Sequence, residues 1–434
     1  MEKEISVNAN IIEFIPSIRM ILSDKCLKIV RLQSKTFTMP FCNDLIMLEK
    51  AVSTYKPSES ALWDGKFLFL NQSSSPEIIL KSFIHELNIF KSVNSTQPKV
   101  IFIKDYGILA SEDHSHAVSQ LHEEVESCLL HFLNQSKKGI SELEVQQENH
   151  AKYEYTNAFP GILNQKICVV TGGAQGFGEG ISRSLVCDHA NLIIADLNVE
   201  KGLSTCKELS ALCGANEVSF IKTDVSNPDS VKNLIFSVVK HFGGIDLFIS
   251  NAGILKAGGL EEMDPASFEL MTKINYEGYF LCAKYASAVM KNQTLQKEDY
   301  FADIIQINSK SGLKGSNRNF AYSGGKFGGI GLTQSFALEL APSRIKVNAI
   351  CPGNFFEGPL WADPEKGLFV QYLKAGKVAG AKTIEDVRRY YENQVPLGRG
   401  CQVKDIMKAI YYVVSQEYET GQAIPVTGGQ EMVN

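Results

Sequence analysis

From residue 165 onward, short apolar runs of strand length alternate with stretches whose apolar residues recur at helical spacing. The runs are KICVV, NLIIAD, VSFIKTD, IDLFISNAG, DIIQIN, RIKVNAICPG and QAIPVT. Parallel neighbours in a sheet need helical crossovers, so this alternation predicts an α/β fold class with a doubly wound parallel sheet over residues 165–434. The earlier part is less regular. KIVRLQ, KFLFLN and KVIFIKD read as strands, and residues 76–92 and 114–134 as helices, which predicts a smaller N-terminal α/β domain over residues 1–145. Ser75 followed by Pro76 and Glu77 suits the N-cap of the first of those helices. Between the two parts, QQENHAKYEYTNAFPGILNQ is polar, with Pro160 and Gly161 near its end, and residues 146–164 read as a linker.

A chain of 434 residues exceeds the size at which one core keeps growing, which supports two units. Hydrophobic residues make up 44% of it and charged residues 21%, the balance of a globular protein rather than a disordered one. The formal net charge of -5 gives no electrostatic reason to expect nucleic acid or an anionic membrane as partner. The N-terminus mixes acidic residues into its apolar stretches, so no signal peptide is expected, and no apolar run approaches the roughly 20 residues of a membrane span. A cytoplasmic protein is expected. The ten cysteines form no CxxC pair, a pattern of free thiols rather than of a disulfide framework or zinc site. Cys187 and Cys282 fall in apolar helical patterns and read as small core residues.

The chemistry enters with KICVV, which runs directly into TGGAQGFGEGIS. Gly172, Gly176 and Gly178 thus lie between a buried strand and a helix, where backbone amides and the helix N-terminus can cradle a pyrophosphate. Their spacing is GxxxGxG. Asp196 closes the second strand, 18 residues after Gly178 (196 minus 178), where a carboxylate accepts ribose hydroxyls and repels a 2'-phosphate; the cofactor is expected to be NAD. Asp224 follows the third strand and reads either as an adenine contact or as a helix cap. Tyr322 and Lys326 are four apart in a long helical pattern and so share one face. A tyrosine titrates near pH 10, and proton transfer at neutral pH needs a nearby cation to stabilise phenolate; Lys326 is that cation. Ser309 ends a strand thirteen residues before Tyr322.

At this point the sequence resembles the short-chain dehydrogenase/reductase family, with TGGAQGFG, Asp196, TDVS, SNAG, KINYEG, INSKSG, YSGGK, CPG and TGGQ in order over about 270 residues. The resemblance implies a Rossmann-type fold and a catalytic tetrad of Asn275, Ser309, Tyr322 and Lys326. It further implies Phe177, Val225, Asn251, Ala252, Gly253, Pro352 and Gly353 beside the cofactor, with Tyr322 and Lys326 reaching it too. Ser250 departs from the second asparagine of many members. Within the family, the segments IIQINSKSGLKGSNRNFAYSGGKFGGIGLTQSFALELA and YYENQVPLGRGCQVKD, with TGQAIPVTGGQ, resemble the sorbitol-6-phosphate 2-dehydrogenases. That implies interconversion of a polyol phosphate and a ketose phosphate, with another polyol, an aldehyde, a deoxysugar or an NAD-binding sensor as alternatives. A phosphosugar substrate needs cations, for which Lys256 and Lys310 are the candidates, with Lys314 or Arg318 in the next loop. Phe355, Phe356 and Trp361 follow the sixth strand and read equally as a cover over substrate or as core. Family members commonly associate through the helices around Lys284 and Gln334, which implies a homo-oligomer, a dimer or tetramer. The N-terminal part resembles a class II aldolase-like domain over about 100 residues. His114 and His116 there could offer two metal ligands, but the surrounding pattern reads better as histidines on the wet face of a helix, and no metal is expected.

Overall fold

The computed structural model describes residues 2–136 and 161–432, apart from 24–26, 36–37, 55–60, 72–74, 95, 215, 375 and 377. The expected linker thus lies outside the described residues as far as residue 160. Near the N-terminus, β1 (Ile29–Gln33), β2 (Leu68–Leu70), β3 (Val100–Ile103) and β4 (Gly107–Glu112) form a sheet in the order β1-β4-β3-β2. β4 runs antiparallel to both its neighbours, and β2 parallel to β3. Helices Pro76–Val93 and Ser115–Ser136 match the expected ones, and Ser75 caps the first by accepting from the Ile78 amide at 3.3 Å. Neither β4 nor the helix Glu2–Leu22 is apparent in the sequence pattern.

The second sheet holds β5 (Ile167–Thr171), β6 (Asn191–Asp196), β7 (Val218–Lys222), β8 (Leu247–Ser250), β9 (Ala302–Ile307), β10 (Ile345–Pro352) and β11 (Ala423–Val426). Their order is β11-β10-β9-β8-β5-β6-β7, and every neighbouring pair is parallel. These are the seven runs read from the sequence. The central strands are buried along their whole length, as expected where helices cover both faces. The chain moves outward from β5 through β6 and β7, then crosses back to begin β8. The strand order therefore reverses between β5 and β8, and the crevice that opens at their carboxyl ends is where such sheets bind ligands.

The N-terminal unit sits against the opposite part of this fold. Its first helix packs on helices Pro228–Phe242 and Gly278–Thr294, and β1 packs on the former. Ile15, Ile18 and Val30 share one continuous apolar cluster with Val238, Phe242 and Val289. Polar ties cross the same boundary. Arg31 bonds Glu217 at 2.7 Å, Ser115 bonds Asn191 at 2.7 Å, and the fully buried Arg19 reaches both carboxylate oxygens of Asp246 at 2.9 and 2.8 Å. Cys282 is buried in the core as expected. Cys187 corrects the reading given to it: it ends the helix Gly176–Cys187 and is exposed, because the last turn buries Leu185 and Val186 and turns Cys187 to the outer face.

Candidate active site

A cavity of about 1060 Å³ occupies the crevice. At one end lie Gly172, Gly176, Phe177, Gly178, Asp196, Asp224 and Val225; at the other, Ser309, Lys310, Tyr322 and Lys326; Asn251, Ala252, Gly253, Pro352 and Gly353 line the stretch between.

The turn after β5 is built for a close neighbour. Gly172 holds φ of 61°, a left-handed conformation that a side chain strains to adopt, and a Cβ on Gly178 would overlap the Gly172 carbonyl. The turn leads into the N-terminus of the helix Gly176–Cys187, so its free amides and the helix dipole face the cavity. Asn251 ties it to the end of β8: its side-chain amide donates to the carbonyls of Thr171 and Gly172, each at 3.0 Å. Thr171, which the sequence reading left out, accepts from the amides of Asn251 and Ala252 at 3.0 and 3.1 Å. At the far end, the Asp196 carboxylate accepts from the amides of Ala174 at 3.1 Å and Asn198 at 2.9 Å. Those bonds fix its direction and use about half of the four acceptor sites a carboxylate offers. Asp224 accepts from the amide and hydroxyl of Ser226 at 2.9 and 2.6 Å, so it shapes the turn as well as lining the cavity; Asn227 is the residue that caps the helix Pro228–Phe242. This constricted, amide-lined turn and the aimed carboxylate fit the pyrophosphate and adenosine ribose of a dinucleotide.

The groups expected to handle the proton meet at the ends of β8 and β9. Tyr322 and Lys326 stand on the helix Phe320–Leu340, and Ser309 follows β9. The Ser309 hydroxyl hydrogen-bonds the Tyr322 phenol. Lys326 donates to the Ile307 carbonyl at 2.9 Å and holds its ammonium 5.6 Å from the centre of the Tyr322 ring. Burial raises the phenol above its ordinary value and depresses the ammonium, to about 8. Asn275 lies in a π-helical turn, Lys273–Glu277, and its side chain clasps the backbone of Ile254 at 2.9 and 2.8 Å. A Cβ placed on Gly253 would sit 3.0 Å from the Asn275 oxygen and 3.8 Å from the Lys326 ammonium, so all three groups converge at one corner.

The remaining expectations sort by position. Phe355 and Trp361 line the cavity, and Phe355 stacks on Phe177 with ring centres 4.4 Å apart. Phe356 is wholly buried beneath them, edge-on to Trp361 at 5.1 Å. Lys310 lines the cavity; Lys256 does not, and is held by Asp264 at 2.9 Å and Ser267 at 2.6 Å. Arg318 is bonded to Glu262, and Lys314 lies 3.4 Å from Glu431. Tyr372, Tyr390, Tyr391 and Gln394 also line the cavity; the last three open the segment YYENQVPLGRGCQVKD, but standing more than 60 residues past Tyr322 they gave no sign in the sequence of reaching the same cavity. His114 is half-buried and its ring lies 3.5 Å from the Gln165 side chain, while His116 is exposed. Among the described residues, no three histidines, cysteines or acids gather where they could hold a metal.

Residues 166–362 match the family model described as short chain dehydrogenase. The sorbitol-6-phosphate 2-dehydrogenase of Escherichia coli is 37% identical over 272 residues, which are 62% of this chain and 100% of that protein. The chain belongs to the short-chain dehydrogenase family. Its crystallised relatives include sorbitol-6-phosphate 2-dehydrogenase from Erwinia amylovora, 36% identical with a TM-score of 0.57, covering 62% of this chain and all of that one. The trans-4-hydroxycyclohexanecarboxylate dehydrogenase of Sinomonas cyclohexanicum is 28% identical over 62% of this chain and 94% of its own. As a short-chain dehydrogenase the protein is an oxidoreductase of CH–OH groups that uses a nicotinamide cofactor.

Proposed function

We propose that the protein interconverts a polyol phosphate and a ketose phosphate, sorbitol 6-phosphate and fructose 6-phosphate, with NAD as cofactor. The likeness to two sorbitol-6-phosphate 2-dehydrogenases over their entire length carries this reading. In the oxidising direction the Tyr322 phenolate takes the proton from the substrate hydroxyl, while Ser309 holds the oxygen that becomes the carbonyl. Lys326 stabilises the phenolate, and Asn275 holds the backbone of Ile254 beside it. Bound NAD supplies the hydride acceptor at the substrate carbon. The test is NADH oxidation by the purified protein with fructose 6-phosphate, beside fructose, other phosphosugars and NADPH. Turnover confined to fructose 6-phosphate with NADH is expected; turnover of a different carbonyl alone would discard the substrate and keep the chemistry.

The choice of NAD rests on Asp196, whose free acceptor sites suit two ribose hydroxyls and whose charge repels a 2'-phosphate. Asp196→Ala is expected to raise the KM for NADH about tenfold to a hundredfold, since hydrogen bonds to a charged group contribute about 1.5–3 kcal/mol. It should narrow the gap between NADH and NADPH at the same time. Steady-state kinetics with both cofactors check this, and an unchanged preference would remove Asp196 from its role. The nine described cysteines are all free, which fits a cytoplasmic setting, and no described helix is long and apolar enough to cross a membrane. A dimer or tetramer would pair the helices Gly278–Thr294 and Phe320–Leu340, where Phe280 and Leu338 stand exposed.

A further inference from the structure

At the Tyr322 end the cavity is lined from two stretches of the chain. One carries Lys310 and Asn317, the other Trp361, Tyr372, Tyr390 and Gln394. No carboxylate lines this end, because the two acids of the cavity wall, Asp196 and Asp224, belong to the dinucleotide end. The neighbouring cations are spoken for. Lys256 is held by Asp264, Arg318 by Glu262, Lys314 by Glu431, Arg388 by Glu357 and Glu392, and Arg399 by Asp405.

Lys310 differs from all of them. It is half-buried in the wall, it immediately follows Ser309, and among the described residues no carboxylate lies within ion-pair distance of its ammonium. Glu431 is near enough to be felt, but it faces Lys314. A cation removed from water without a partner is costly, and burial accordingly depresses its pKa. An anion brought by the substrate would remove that cost.

Resting on the polyol-phosphate reading above, we propose that Lys310 is the residue that binds the substrate phosphate and so selects phosphorylated over unphosphorylated ketoses. The uncharged polar groups of the same stretches, Asn317, Gln394, Tyr372 and Tyr390, then meet the chain hydroxyls. Lys256, although it too lies in the loop region after a central strand, takes no part, because Asp264 and Ser267 already satisfy it.

The experiment compares the full-length protein with Lys310→Met and Lys310→Arg, using NADH with fructose 6-phosphate and with fructose. Lys310→Met is expected to lower the ratio of kcat/KM for fructose 6-phosphate to that for fructose about tenfold to a hundredfold, the effect of one charge-assisted hydrogen bond. Lys310→Arg should recover much of that ratio, and inorganic phosphate should compete with fructose 6-phosphate in the wild type but only weakly in Lys310→Met. An unchanged ratio in Lys310→Met overturns the assignment. If the wild type ignores fructose 6-phosphate and reduces another carbonyl, the polyol-phosphate reading fails by itself. Lys310 is then judged by whether inorganic phosphate inhibits that reaction in the wild type and loses its effect in Lys310→Met.

Discussion

Tyr322→Phe is expected to lose about a hundredfold to ten-thousandfold in kcat, the contribution of a positioned acid or base, while still binding NADH. The substitution keeps the ring, and with it the contact with the Lys326 ammonium, but removes the one hydroxyl that can pass a proton to the substrate oxygen. Ser309 cannot replace it, because an aliphatic hydroxyl is a far weaker acid than a phenol and stays protonated near neutral pH. The pyrophosphate turn and Asp196 lie at the other end of the cavity and do not sense the change. Lys326 sets the pH dependence. Its ammonium, depressed to about 8, is charged at neutral pH and favours phenolate; it weakens as a stabiliser once the pH rises past that value. Alcohol oxidation, which needs phenolate beside the charged ammonium, should therefore rise with pH and stop rising once the pH passes about 8, and ketone reduction, which needs the phenol, should fall over the rising range. Steady-state rates and an NADH fluorescence titration of wild type and variant measure both halves of the prediction. Turnover retained in Tyr322→Phe would overturn the assignment of the proton donor.

Much of this site could be read from the chain because its parts are local. Gly172 and Gly178 lie in one turn, Tyr322 and Lys326 on one helix, and Ser309 and Asp196 at strand ends that the apolar runs mark out. What was not legible depends on partners distant in sequence. Lys256 and Lys310 look alike as isolated cations after strands, and only the ion pair to Asp264, which also caps the helix Pro265–Thr272, tells them apart. β4, GILASE, carries glycine, alanine, serine and glutamate where strand composition would call for branched residues; it forms because β1 and β3 pair with it on both sides. The helix Glu2–Leu22 contains Pro16 and places an arginine within its buried stretch, which breaks the amphipathic pattern that sequence reasoning looks for. That arginine makes sense only beside an aspartate 227 residues later.

Arg19→Met is accordingly expected to destabilise the protein by about 3–5 kcal/mol, the cost of leaving a buried charge without its partner. Arg19 and Asp246 are both fully buried, and Asp246 also accepts from the Ile167 amide at 2.8 Å, the Gln293 side chain at 3.2 Å and the Tyr300 hydroxyl. Burial by itself would raise the Asp246 carboxyl; the charge and hydrogen bonds of Arg19, the charge of Lys166 and the Tyr300 hydroxyl outweigh it and bring it down to about 2. A carboxylate whose folded value is depressed contributes stability that is fully present above its unfolded value near 4 and is lost as the pH falls toward 2. Wild type should therefore lose stability over that acid range, and Arg19→Met should show a smaller loss there because its Asp246 no longer holds so low a value. Arg19→Met with Asp246→Asn should recover part of the deficit, since no charge is then stranded. The consequence reaches the cofactor. Asp246 precedes β8 and bonds the first residue of β5, and these two strands end at Asn251 and Gly172, the pair that shapes the pyrophosphate turn. Loosening their base should raise the KM for NADH in the same variant, and residues 165–434 produced without the N-terminal unit should aggregate through the apolar face left open. Denaturant unfolding of the single and double variants decides the matter: an Arg19→Met protein as stable as wild type would make the N-terminal unit a passenger, whereas the expected loss makes it a structural part of the dehydrogenase.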